Sequence, residues 1–145
     1  MSNYSKILIC LDLTAESDKV AERARTLASG AGASFALLHV VEYVPVEPMG
    51  EALLPAVQIE GELVERATAR LAEFSTRLGF AQSERLVLTG NIKSEVVRVA
   101  QERGIDLIVI GSRERHGMSI LFNFTEDTVL HAAPCDVLAV RLQKS

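Results

Sequence analysis

The run Asp106-Leu-Ile-Val-Ile-Gly111-Ser112 limits the fold more than any other stretch of the chain. From Leu107 to Ile110 every side chain is aliphatic and most are β-branched. A strand with one wet face alternates apolar and polar positions; this one offers water nothing, so it must be covered on both faces. Such strands belong to parallel sheets lying between helices. Ile7-Leu-Ile-Cys-Leu11 and Ser34-Phe-Ala-Leu-Leu-His-Val-Val41 repeat the pattern, and Arg85 to Gly90 and Asp136-Val-Leu-Ala-Val-Arg-Leu142 add two more runs.

The segments between these runs have helical spacing. Thr14 is placed to cap a helix that Glu16 opens, with Val20, Ala24, Leu27 and Ala28 on its apolar stripe and Gly30 and Gly32 to stop it. Tyr43 to Val57 carries Pro45, Pro48 and Pro55 and reads as the longest loop. From Gln58 to Leu78 the positions Leu63, Ala67, Leu71, Phe74 and Leu78 predict a long helix, which Gly79 ends in a left-handed cap. Asn91 is a good N-cap for a helix with Ile92, Val96, Val99 and Ala100 inward, and Phe124 to Ala132 reads as the last helix. Strands separated by helices of this length need crossover connections. The expectation is an α/β fold: a three-layer, doubly wound, Rossmann-like open sheet of about five parallel strands. A length of 145 residues, 48% of them hydrophobic, suits a single domain over residues 1–145.

Composition narrows the function. A net charge of −4 with lysine and arginine dispersed leaves no basic stripe for a phosphate backbone, so nucleic acid is not an expected partner. No apolar run approaches the ~20 residues that span a bilayer, and no signal-peptide core precedes the first strand. Membrane insertion is not expected, and a cytoplasmic location is. Cys10 and Cys135 have neither metal-ligand nor Cys-x-x-Cys spacing and read as small buried hydrophobes. His39 reads as a satisfied core histidine; His116 and His131 read as exposed. The chain has no nucleophile elbow, no phosphate-binding Gly-x-x-x-x-Gly-Lys loop and no metal-spaced cluster, so it is not expected to be an enzyme. A slow hydrolytic or phosphotransfer activity would need a positioned metal and water that no motif supplies.

In open α/β sheets ligands collect beyond the carboxyl ends of the strands. Asp12 and Val41 stand at two such ends, and Gly111, Ser112 and Arg113 at a third. Lys6-Ile-Leu-Ile-Cys-Leu-Asp12 with Thr14 and Ser17, Leu38-His-Val-Val41, Thr89-Gly90, Asp106 to Ser112, and Ala133-Pro-Cys-Asp-Val-Leu-Ala-Val140 together resemble the universal stress protein family, end to end. The resemblance implies a small cytoplasmic protein, commonly a homodimer, made under stress or growth arrest. One branch of the family binds ATP or AMP and another does not.

The binding branch carries a Gly-x-x-Gly element after the fourth strand and a Gly-Ser or Gly-Thr pair further on. Gly111, Ser112 and Gly117 match, but Glu114 stands where the first glycine of the element belongs and Asn123-Phe124 where the second pair belongs. A carboxylate and a Cβ at Glu114 obstruct phosphate, and Asn123 with Glu126 has the form of a capping box, which supplies the helix start with its own acceptors. The departures favour the branch without tight nucleotide binding, and no cofactor is expected. The alternative is an ATP or AMP sensor. In it, Asp12 takes the position that contacts the nucleoside in binding members, and Arg113 with Arg115 and His116 makes the loop cationic. Asn123 and Thr125 count among the binding residues, Thr125 supplying the missing hydroxyl where the loop shifts by one residue.

The final strand bears on assembly. Asp136 to Leu142 is apolar and free of proline, and as the closing strand it should lie at a sheet edge, where unpaired backbone groups invite association. A homodimer pairing this strand with its copy across a two-fold axis is the expected partner arrangement, with a charge at Val140 falling in the seam.

Overall fold

The computed structural model of the protein describes residues 4–28, 32–42, 53–113, 129 and 131–142. In chain order the elements are β1 (Lys6–Cys10), α1 (Ser17–Leu27), β2 (Ser34–Val41), α2 (Leu53–Arg77), β3 (Glu84–Thr89), α3 (Ile92–Glu102), β4 (Leu107–Arg113) and β5 (Asp136–Leu142). The strands form one sheet in the order β3-β2-β1-β4-β5, and every pairing is parallel. The chain walks outward from β1 to β3, then returns to the other side of β1 for β4 and β5. That reversal opens a crevice at the carboxyl ends of β1 and β4.

Strand alternation divides the core into two sides. Ile7, Ile9, Leu107 and Val109 pack with Val20, Ala21 and Ala24 of α1 and with Leu71 and Phe74 of α2. Leu8 and Ile108 face the opposite way, onto Val96, Val99 and Ala100 of α3 and onto Val129. The fully apolar strands are thus covered on both faces, and the fold is the three-layer doubly wound α/β sheet. The amino ends of β1 and β4 are tied by Asp106, whose carboxylate accepts from Ser5 N (2.8 Å), Ser5 Oγ (3.0 Å) and Lys6 N (3.0 Å). Desolvation opposes its charge, but these donors outweigh that effect and hold the carboxyl below its ordinary range.

Several local readings hold. Gly79 has φ +83° after α2, the left-handed stop expected there, and Asn91 accepts from Ser94 N at 3.0 Å to cap α3. β2 and β5 have the bounds read from the sequence.

Others change. α2 begins at Leu53, so Pro55 lies in its first turn, where backbone N–H groups have no helical partner and proline costs nothing in hydrogen bonds. β4 does not stop at Ile110; Gly111, Ser112 and Arg113 continue the ladder against Val140, Arg141 and Leu142. A Cβ on Gly111 would lie 2.9 Å from Leu142 Cδ1 and 3.3 Å from Val20 Cγ2, so a side chain there would have to shift the end of Leu142 and press on Val20. Thr14 is not the side-chain cap of α1, which has none: the Thr14 hydroxyl donates to Asp12, and only its backbone carbonyl meets the helix start, accepting from Ser17 N at 3.0 Å. The Val140 side chain is buried in the core on the α1 side, so a charge there would strike the core as well as the edge strand. The helix expected over Phe124 to Ala132 and the Gly30 stop lie largely outside the described residues. Val129, His131 and Ala132 are helical, and His131 is exposed.

Candidate functional site

A cavity of about 200 Å³ opens at the crevice between β1 and β4. Leu11, Leu38, Val40, Ile92, Val96, Ile110 and Leu142 make its wall mainly apolar, and Cys10, Asp12 and His39 supply the polar side chains. The wall follows from the topology. β1, β2 and β4 end here, and the start of α3 closes one side.

Asp12 follows β1 directly. Its Oδ1 accepts from Thr14 N (3.0 Å), Thr14 Oγ1 (2.8 Å) and Ser17 Oγ (2.9 Å), so the carboxylate folds back over the turn into α1. Ser17 is buried, and its hydroxyl is satisfied by this contact. Leu13, inside the turn, has φ +61°. His39 enters from β2, with Nδ1 2.7 Å from the Leu11 carbonyl. A carbonyl oxygen only accepts, so Nδ1 carries the proton, and in the neutral ring Nε2 is an acceptor. Burial, reinforced by Cys135, pushes the Cys10 thiol up to about 12, which keeps it protonated and a poor nucleophile at neutral pH.

The helix start bordering the cavity is already supplied with acceptors. Asn91 takes Ser94 N, and Glu42 Oε2 takes Ile92 N at 3.1 Å. An anion arriving at α3 would have to displace a side chain of the protein itself.

The structure brings Asp12 and Gly111 together in this wall, 99 positions apart in the chain. Ser112 and Arg113 stand next to them as strand residues at the end of β4. Of the two valines at the end of β2, Val40 lines the cavity and Val41 is buried in the core on the α1 side. Gly117, Asn123 and Thr125 lie outside the described residues, as do Glu114, Arg115, His116 and Phe124. Sequence reasoning did not assign His39, Ile92 or Val96 to the wall. The signal for His39 was the parallel register, which sets β2 beside β1 with Leu38 opposite Cys10 and so carries the next residue to the same strand end. Among the described residues no group of three His, Cys, Asp or Glu could hold a metal ion, and no helix is long and apolar enough to cross a membrane.

Comparison with known proteins agrees with this architecture. The model of the universal stress protein family matches residues 3–141. Universal stress protein A homolog 2 of Coxiella burnetii is 36% identical over 146 residues, an alignment covering 100% of this chain and 100% of that protein. Among solved structures, a universal stress protein from Lactobacillus plantarum superposes with a TM-score of 0.75 at 22% identity, covering 97% of this chain and 100% of its own. Another, a universal stress protein in complex with cAMP, gives 0.63 at 20% identity, covering 96% and 98%. Likeness at that identity speaks for the fold, while the family match and the Coxiella relative run along the chain itself. The chain belongs to the universal stress protein family.

Proposed function

We propose that the protein works in the cytoplasm as a dimeric stress-response module, without catalysis and without tight nucleotide binding, pairing with its copy through β5. The observation that carries the assembly is the position of β5. It closes the sheet beside β4, with no partner strand on its outer side among the described residues. Val137 and Leu138 pack half-buried on opposite faces of the sheet and Ala139 is exposed, so what stays open is the backbone edge that antiparallel pairing would cover.

The weak-nucleotide reading rests on groups that are already engaged. Asp12 Oδ1 holds the turn, Asn91 and Glu42 hold the start of α3, and Gly111 is accounted for by Leu142 and Val20. A second reading, a sensor for ATP or AMP, is favoured by the apolar cavity at the strand reversal and by the cAMP complex of a structural relative.

Sedimentation at micromolar concentration tests the dimer. Wild type is expected to run as a dimer, and Ala139→Lys, which sets like charges across the seam without touching the core, should shift it toward monomer with an unchanged far-ultraviolet spectrum. A monomeric wild type would end the proposal. Equilibrium dialysis against ATP with magnesium, and against AMP, should give no micromolar binding; binding in that range would establish the sensor reading instead.

A further inference from the structure

Leu13 is the only non-glycine residue with positive φ among the described residues. A Cβ disfavours that region, and such backbone persists only where its surroundings hold it. Leu13 has no polar side chain to help, and its own side chain is buried in the core. The holding groups are therefore on its neighbours and across the fold.

Three contacts grip the turn. Asp12 Oδ1 accepts from Thr14 N, His39 Nδ1–H donates to the Leu11 carbonyl, and Arg70 Nη2 donates to the Leu13 carbonyl. The first two come from the strand ends that form the cavity. Arg70 reaches in from α2, 57 positions further along the chain. On that helix Arg70, Phe74 and Arg77 are spaced to share one face. Phe74 is buried; Arg77 lies over its ring at 5.5 Å and bonds Asp18 of α1 at 2.8 and 3.2 Å. The row thus holds α1 with one arginine and the turn with the other. Beneath the turn is a hollow of about 110 Å³ lined by Leu13, Thr14, Arg70, Glu73, Phe74 and Arg77, so the turn is not packed solid from below. Without the guanidinium the Leu13 peptide has room to swing.

We infer that Arg70 is a positioning residue for the cavity: its guanidinium fixes the Leu13 carbonyl, and with it the left-handed turn that keeps the Asp12 carboxylate on the cavity wall. The consequence for a ligand rests on the cavity being a binding site, as in the sensor reading above. Any group that bonds Asp12 Oδ1 must then compete with Thr14 and Ser17 in a turn set by α2, which makes α2 part of the response to occupancy of that oxygen.

The turn itself can be tested with no ligand present. Amide hydrogen exchange of Thr14 and the Leu13 Cα and Cβ chemical shifts, which report its φ, are measured in wild type, Arg70→Met, Arg70→Lys and Arg77→Met. Arg70→Met keeps the apolar stem and removes the donor. Thr14 should exchange about tenfold faster, the loss expected when one hydrogen bond stops restraining local opening, with the Val109 amide unaffected. Arg70→Lys should restore most of the protection, and Arg77→Met should leave Thr14 as in wild type. Unchanged Thr14 exchange and Leu13 shifts in Arg70→Met would overturn the inference, as would a loss of protection shared equally by Val109. Titrating wild type with AMP tests the cavity reading separately: absence of binding removes that reading and leaves the Thr14 result to decide the role of Arg70.

Discussion

Two aspartates stand at opposite ends of the sheet with similar hydrogen bonding and different surroundings. Asp106, before β4, takes Ser5 N, Ser5 Oγ and Lys6 N, while its own N–H donates to the Lys6 carbonyl at 2.9 Å. Asp12, after β1, takes Thr14 N, Thr14 Oγ1 and Ser17 Oγ. At the amino end these bonds join the starts of β1 and β4, and none of Ser5, Lys6 and Asp106 has positive φ. At the carboxyl end they hold a turn containing a left-handed leucine, beside an open cavity. Hydrogen bonding of this kind therefore does not distinguish a structural carboxylate from one at a candidate site; a backbone outlier beside a mainly apolar cavity does.

Val109 lies between the two ends, fully buried in the strand that serves both. Val109→Ala should cost roughly 1–3 kcal/mol through lost burial and a residual cavity. That global loss, read as a lower denaturation midpoint, sets the scale against which each aspartate is compared. An unchanged midpoint would mean that the ends are not joined through a common core. Asp106→Ala comes next, at roughly 1–2 kcal/mol, because charge-assisted bonds to Ser5 and Lys6 are lost at a margin that water can partly reach. Its folded-state carboxyl is held below the unfolded value of about 4, so its contribution is fully present above that pH and disappears as pH falls through the folded value. Acid unfolding curves of wild type and Asp106→Asn should therefore converge at low pH. Curves that stay parallel down to the acid limit would show that Asp106 acts by shape rather than charge.

The same contrast explains what the sequence reveals. β2, β5 and the Asn91 cap are legible to the residue because each is decided locally, by an unbroken apolar run or by one side chain reaching three positions on. The start of α2 is not, since prolines that break a helix interior are harmless in its first turn, and Pro55 carries no mark of which applies. β4 runs on through Gly111 because β5 is long enough to pair it, a fact held by a different segment. Facing is decided by register, so of Val40 and Val41 at the end of β2 only Val40 lines the cavity, and Val140 turns its side chain into the core from the edge strand. At the site, Asp12 and Gly111 are visible as residues at strand ends. The engagement of Asp12 with Ser17 and the grip of Arg70 on Leu13 are tertiary, and no spacing in the chain announces them.

The smallest expected effect is also the most discriminating. In Asp12→Asn the amide oxygen can still accept from Thr14 N and from the hydroxyls of Thr14 and Ser17, so the turn keeps its bonds and loses only the charge that strengthens them. The stability change should be about 0.5 kcal/mol, below that of Asp106→Ala, because hydroxyl partners can rotate to suit the amide. Asp12→Ala removes the acceptor altogether; it should cost roughly 1 kcal/mol and release the Thr14 amide to faster exchange while Ser5 and Lys6 at the other end stay protected. If Asp12→Asn instead destabilised the protein as much as Asp106→Ala, the carboxyl-end aspartate would be a charge-dependent brace like its counterpart. The turn beside the cavity would then be fixed by electrostatics, rather than by the hydrogen-bond geometry that Leu13 and Arg70 complete.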